Sequence, residues 1–433
     1  MRRQALAAAI MAMTLSTSTL AADLWQVYQD AVQQDPELAI ERTRLDQAQA
    51  RVSEATSRLL PSINATADWS NTSYNVGDDT DNLALSLTAE QVLFSGPAWY
   101  ARSAAQQAFS LAEAQFRDAE QNLLLRTAEA YFNVLRAEDN LSALQAEEQA
   151  IQRQLDQVRE QYEVGLIAIT DVLEAQAAYD GVHAARIGAE GSLLISYEAL
   201  EQLTGQSYPQ LHVLVDQTPV TPPTPNTRES WIEMALNNNL ALQSAAAGVR
   251  TAQEALRAER SGHLPSVALY ASHRNNSEAT PQGVDTTTVV GVRAQLELYG
   301  GGRTSSQIAA STSGLEEAGF SEELARRQVL QQTRSLFTQV NTDVLTVQAQ
   351  AQAIRSAESA LEATRIGYEV GTRNIVDVLN AERAVWGKQR DYDAARYNYL
   401  VNQLRLKRAA GSLSRQDLQD LNRWLTAEAM GQN

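Results

Sequence analysis

The sequence predicts a mixed fold, mainly α, in which two similar units follow one another, each joining very long coiled-coil helices to one β-hairpin. Three observations carry that prediction: an internal duplication, seams of apolar residues at a spacing of seven, and short stretches of apolar–polar alternation between them. The duplication is plainest where Tyr162-Glu163-Val164-Gly165 recurs as Tyr368-Glu369-Val370-Gly371, each followed by an Asp-Val-Leu, at Asp171–Leu173 and Asp377–Leu379. At that offset of 206, residues 162–175 and 368–381 agree at nine of fourteen positions. Unrelated segments would share about one in sixteen. Leu60-Pro61-Ser62 likewise matches Leu264-Pro265-Ser266, and Leu93-Phe94-Ser95-Gly96 matches Leu298-Tyr299-Gly300-Gly301. A first repeat is expected over 23–205 and a second over 228–411, with a linker at 206–227 and a tail at 412–433.

In chain order, residues 1–22 read as a secretory signal. Arg2 and Arg3 form its basic start, Ala5 to Leu15 its apolar stretch, and Thr19-Leu20-Ala21 a small-x-small cleavage site. That apolar stretch is too short to span a bilayer, and no later run reaches the roughly 18–20 apolar residues a spanning helix needs, so any membrane insertion must use strands. Removing Arg2 and Arg3 takes the net charge from −17 to −19, which disfavours a nucleic-acid partner. There is no cysteine, so no disulfide is expected.

Proline placement marks the helices. None falls between Ala98 and Tyr208 or after Pro281, whereas four crowd into Pro219–Pro225, an extended linker. Within the first free stretch Phe109, Phe116, Leu123, Ala130, Ala137, Leu144, Ile151 and Val158 recur at a spacing of seven, a coiled-coil seam. Further seams run through Val340, Val347, Ile354, Leu361 and Tyr368, and through Val378, Val385, Tyr392, Tyr399 and Leu406. A helix from Pro97 to Glu163 would be roughly 100 Å long, against a radius of gyration near 22 Å for a compact globule of this length. An elongated protein is therefore expected, with Gly165 and Gly371 closing helical hairpins as C-terminal caps.

Four segments alternate instead. Leu83, Leu85, Leu87 and Leu93 make the apolar side of Asn82–Phe94, interrupted by Ala89 and Gln91; Val290, Val292, Ala294, Leu296 and Leu298 make that of Thr286–Tyr299. Ile63, Ala65, Ala67 and Trp69 supply the partner in the first copy, and Val267, Leu269 and Ala271 in the second, with connections at Gly77-Asp78-Asp79 and Pro281-Gln282-Gly283. One hairpin is thus expected near 62–94 and one near 265–299. Four strands cannot close a transmembrane barrel, the smallest having about eight, so strands that cross a membrane must be pooled between protomers. Phe94 and Tyr299 stand at matching strand ends, suited to a membrane interface or to core packing, and the following Gly96 and Gly301 suit a sharp passage into helix.

Leu24-Trp25-Gln26-Val27-Tyr28, Gly165-Leu166-Ile167-Ala168-Ile169-Thr170-Asp171-Val172 and Gly371-Thr372-Arg373-Asn374-Ile375-Val376-Asp377-Val378-Leu379 together make the chain resemble the TolC family of outer-membrane channels. The resemblance covers essentially the whole mature chain. It implies a homotrimer in the Gram-negative outer membrane, in which four strands per protomer share one twelve-stranded β-barrel and the helices form a periplasmic α-barrel. A small equatorial region around 206–227 and after Gly411 is implied as well.

The same resemblance implies roles for residues at the tips. Asp377 would line the lumen near the periplasmic mouth, where three carboxylates form a cation-binding selectivity ring. Asn380, one helical step on, replaces the family's second acid and makes the next ring neutral. Read without the resemblance, Asp377 is an acid in the first turn of a helix that Asn374 caps. The gate carried over is Tyr368 bonded to Asp171 within a protomer, with Arg373 reaching Thr170 and Asp171 of a neighbour. The plain readings are that Tyr368 continues a seam, that Thr170 or Asp171 caps a helix, with Asp171 and Glu174 at capping-box spacing, and that Arg373 is solvated. The tips around Gly165 and Gly371 would contact a periplasmic adaptor.

The function this implies is an exit duct for efflux pumps, type I protein secretion or both, opened at its tip on recruitment by the adaptor and an inner-membrane RND or ABC transporter. No enzyme activity and no cofactor are expected. His183, His212, His263 and His273 are scattered without ligand spacing, and Gly300-Gly301-Gly302 reads as a corner rather than a phosphate cradle. The competing reading is a periplasmic coiled-coil adaptor, which two duplicated hairpins with two strand pairs argue against.

Overall fold

The computed structural model describes residues 21–73, 75–76, 80–277 and 285–426. The signal segment apart from its last two residues, both hairpin connections and the tail from 427 lie outside the described residues. Helix α1 (Leu24–Gln34) starts where the Asp23 carboxylate accepts the Gln26 N–H at 2.7 Å, and α2 (Pro36–Ser57) opens on a proline, which its first turn tolerates. Strands β1 (Ser62–Thr72) and β2 (Thr80–Phe94) lead into α3 (Gly96–Glu163), which is 68 residues long, and then α4 (Ile169–Thr204). After β3 (Val213–Leu214) come α5 (Arg228–Asn238) and α6 (Leu240–Arg260), then β4 (Ser266–Asn276) and β5 (Thr286–Gln295). Helix α7 (Arg303–Glu369), of 67 residues, and α8 (Ile375–Ala409) precede α9 (Arg415–Asn422) and β6 (Leu425–Thr426).

The compact units do not follow the repeat. Among the described residues, one gathers those up to 36, those within 120–234 and those from 332 on, the other those within 37–119 and 235–331, so each takes part of both copies. In the second of these, four antiparallel strands form one sheet in the order β1-β2-β4-β5. The two predicted hairpins are therefore joined to each other through β2 and β4. Because side chains alternate between faces, the register sorts them. Ile63, Ala65, Ala67 and Trp69 lie opposite Ala89, Leu87, Leu85 and Leu83; Leu269 and Ala271 lie opposite Val292 and Val290. That face is mainly apolar, with Gln91 among its rows and His273, Asn275, Thr286 and Thr288 towards the hairpin connection of β4 and β5. The other carries Asn64, Thr66, Asp68, Ser86, Thr88, Glu90, Ser272 and Arg274. Both faces are largely exposed within a single chain, Trp69 at 68% and Val290 at 70%.

Three strand expectations need correction. A bulge shifts the register between Val92 and Phe94, so Phe94, not Leu93, pairs with Val267 on the apolar face. Strand β5 ends at Gln295, opposite Ser266, because β4 begins only after Pro265, which has no N–H to pair; Leu296, Leu298 and Tyr299 therefore lie beyond the strand. Gly96 serves close approach rather than a special backbone angle, since a Cβ there would stand 2.6 Å from the Ser261 Cβ, whereas Gly301 does have a positive φ of 63°.

In the other unit the seams are buried as the spacing requires at Leu123, Leu144, Ile151, Val158, Val340, Val347, Val378, Tyr399 and Leu406. A small mixed region surrounds α1. There β3 pairs with β6, Ala22 bridges to Leu211, and the Tyr131 hydroxyl donates to the His212 carbonyl at 2.7 Å. Burial raises the Tyr131 pKa, which keeps that hydroxyl a neutral donor.

Candidate functional site

The predicted site residues fall at two helical turns, α3 to α4 and α7 to α8. Each turn follows from a glycine at the left-handed position, Gly165 at φ 78° and Gly371 at φ 75°. Past the first, Leu166 N–H donates to the Gln161 carbonyl at 2.9 Å; past the second, Thr372 N–H donates to the Gly367 carbonyl at 2.8 Å. Both bonds reach five residues back, the mark of a Schellman cap. The turns rest on one core of Leu144, Ile151, Leu155, Val158, Ala175, Ala178, Val182, Ile375, Val378 and Leu379, with Tyr368, Ile167 and Val172 packed on it.

The helices that follow begin differently. Ala168 stands at the N-cap of α4 with no side-chain bond, so Thr170 and Asp171 sit inside the first turn and neither caps it. Asn374 caps α8, its side chain accepting the Asp377 N–H at 2.9 Å while Asp377 accepts back from the Asn374 N–H at 3.5 Å. Asp377 also stands 3.7 Å from Arg373, and Asn380 is exposed on the same helix.

Of the predicted gate, the chain brings Tyr368 close enough to Asp171 to feel its charge without bonding it. The Tyr368 hydroxyl donates instead to Gln161 Oε1 at 3.1 Å. Partial burial, and then the Asp171 carboxylate, raise the Tyr368 pKa, so the hydroxyl remains a donor. Arg373 is exposed, and its stem lies over α7 where Gly367 leaves room: a Cβ at Gly367 would come within 2.7 Å of the Arg373 Cγ. Beside Tyr368 opens a groove of about 760 Å³ lined by Arg153, Gln157, Gln161, Arg365, Arg373 and Glu382 among others.

Sequence reasoning missed Gln161, Gly367 and the pair Arg365–Glu382. The Glu382 side chain is only 5% exposed and accepts from Arg365 at 2.6 Å, while its other oxygen has no partner. A signal did exist. Arg159 and Gln176, also hydrogen-bonded, occupy the equivalent positions of the first copy at the offset of 206.

The family model described as outer membrane efflux protein matches twice, over residues 27–206 and 231–412. The chain belongs to that family. The outer membrane efflux proteins it resembles include Outer membrane protein TolC of Vibrio cholerae, 38% identical over 94% of this chain and 95% of that one. Alkaline protease secretion protein AprF of Pseudomonas aeruginosa is 30% identical over 84% of this chain and 78% of its own. The solved structure of the outer membrane protein VceC from Vibrio cholerae superposes with a TM-score of 0.79 over 90% of this chain and 96% of that one, at 21% identity. The double match reproduces the duplication, and the fold is the mainly α, TolC-like one expected. As an outer membrane efflux protein the chain is placed in the Gram-negative outer membrane, although no helix among the described residues is long and apolar enough to cross a membrane.

Proposed function

We infer that the protein is an outer-membrane exit duct for efflux, type I secretion or both, working with an adaptor and an inner-membrane transporter. The observation that carries this is the sheet. It is mainly apolar on one face and mainly polar on the other, and β1 and β5 are left as unpaired edges. An open four-stranded sheet with an apolar face meets lipid only when other chains complete it. A homotrimer closes a twelve-stranded barrel with the apolar face to outer-membrane lipid and the polar face to the lumen. The adaptor alternative lacks support, because both copies match the channel family.

The gate in this reading is Thr170, Asp171, Tyr368 and Arg373, with Asp377 as the charged selectivity ring and Asn380 as its neutral neighbour. Exposed Val164, Leu166 and Val370 beside Gly165 and Gly371 offer apolar contacts to an adaptor at the tips. The duct is passive, with no enzymatic step of its own; an RND or ABC transporter supplies the energy.

Mass determination in detergent and planar-bilayer recording test the reading, and a monomer without conductance overturns it. Within a conducting trimer, Arg373→Ser with Tyr368→Phe is expected to raise resting conductance, since Tyr368→Phe removes the hydroxyl that ties α7 to Gln161 and Arg373→Ser removes the cation that in this reading reaches Asp171 of a neighbour. Block by a trivalent cation at low salt is expected to strengthen in Asn380→Asp and largely vanish in Asp377→Asn. Parental block in Asp377→Asn would leave Asp377 only its capping role.

A further inference from the structure

The polar face of the sheet carries four charged residues among those described: Asp68 on β1, Glu90 on β2, Arg274 on β4 and Arg293 on β5. Arg274 donates to Asn276 Oδ1 of its own strand at 3.1 Å, and Arg293 is held across strands by an aromatic ring. Register sets Glu90, Tyr270 and Gly291 in a single row, and Arg293 in the next row towards the helices, opposite Ala268. Gly291 contributes no side chain to its row, and the Tyr270 ring occupies that space. A Cβ on Gly291 would lie 2.9 Å from the Tyr270 hydroxyl oxygen and 3.0 Å from its Cζ. Covering a strand glycine with a cross-strand aromatic is a known stabilising device in sheets. Here it also makes a platform. The Arg293 guanidinium carbon stands 4.6 Å from the Tyr270 ring centroid, the diagonal neighbour in the pleat, within cation–π range. Small Ala268 opposite Arg293 leaves the side chain room to lie over the ring.

An arginine on a solvated strand ordinarily samples many rotamers, and its charge is smeared over them. The glycine, the tyrosine laid across it and the stacked guanidinium instead keep one charge at one height on the polar face. Glu90 lies one row farther from the helices, Arg274 two rows beyond it and Asp68 farther still, so the signs alternate along the strands and Arg293 is the charge nearest the helical end. We propose that Arg293, positioned by Tyr270 over Gly291, is a fixed positive site on the lumenal wall at the helical end of the β-barrel, which attracts anionic groups of cargo and lowers the duct's preference for cations. This rests on the exit-duct reading, since the polar face is a lumen only in the assembled barrel.

The test is the reversal potential of the full chain in planar bilayers under a tenfold KCl gradient, with the dilute side placed first at the barrel and then at the opposite end. A fixed charge governs selectivity most where screening is least, so Arg293→Gln and Arg293→Met should raise the K⁺/Cl⁻ permeability ratio about twofold with the dilute side at the barrel, and clearly less in the reverse gradient. Arg293→Lys and Tyr270→Phe, which keep the charge and the ring, should behave as the parent. Tyr270→Leu should shift the ratio part of the way, because the charge remains but is no longer held. Two neutral substitutions are used so that one assembly failure does not decide the matter. A conducting neutral variant with the parental reversal potential in both gradients overturns the proposal. A parent that does not conduct overturns the duct reading instead.

Discussion

The two helical turns share a backbone and differ in chemistry. Gly165 and Gly371 have nearly the same φ and close the same five-residue bond, and each turn is straddled by a link between positions seventeen apart, Arg159–Gln176 in the first copy and Arg365–Glu382 in the second. Across its turn the first copy pairs its arginine with a neutral amide, with Asp156 of the same helix 3.8 Å away, and leaves α4 uncapped by any side chain. The second pairs it with a nearly buried carboxylate and caps α8 with a reciprocal Asn374–Asp377 box. After duplication, the turn geometry stayed and the links around it diverged. The second turn is the one whose straddling link is charged on both sides.

The largest expected difference lies in the links. Arg365→Ala strands the Glu382 carboxylate away from water and should cost about 2 kcal/mol of local stability, whereas Arg159→Ala removes a bond to an exposed amide and should cost well under about 1 kcal/mol. Hydrogen exchange at the α7–α8 and α3–α4 turns would measure both, and equal losses would erase the comparison. Next in size are the glycines. Around either one nothing lies within 4 Å of an added Cβ, so Gly165→Ala and Gly371→Ala should each cost about 1 kcal/mol through the backbone alone, and equally. Unequal losses would mean that the turns are not equivalent.

Caps should respond less and in opposite directions. Asn374→Ala is expected to lose about 1 kcal/mol at the start of α8, and Ala168→Asn to gain somewhat less, about 0.5 kcal/mol, at the start of α4. Exchange protection of the first-turn amides reports each. The last serves as a control away from both turns. Burial pushes the Asp393 carboxyl on α8 up to about 6. Its folded state then holds a proton that the unfolded chain gives up between about pH 4 and pH 6, so this group lowers stability as pH rises through that window. Asp393→Asn should raise the melting temperature by about 1–2 °C at pH 7.5 and leave it unchanged at pH 4.

Much of this was legible in the residues. The heptad spacing named seam positions such as Leu144, Ile151 and Val158 that are buried, and the Gly-containing repeat located both turns. Alternation named the apolar face of β1 and β2 as far as Leu87. Reading failed where an extra residue or a missing partner intervened. The bulge before Phe94 turned one more residue onto the apolar face, and the late start of β4 ended β5 at Gln295. Neither leaves a mark in the local pattern, because each depends on the neighbouring strand.

The candidate site divides in the same way. Asn374 and Asp377 are three apart, so their reciprocal box is written in the order of residues and was anticipated as a capped first turn. Tyr368 and Gln161 are 207 apart, and the hydroxyl goes to Gln161 rather than to Asp171 because the core under both turns sets which acceptor is within reach. Period, turn and cap are encoded in spacing, since covalent geometry fixes how residues a few positions apart can face. The pairing of Tyr368, the burial of Glu382, the laying of Tyr270 over Gly291 and the division of each repeat between two compact units depend on distances between segments far apart in the chain. Those distances exist only once the helices and strands have packed.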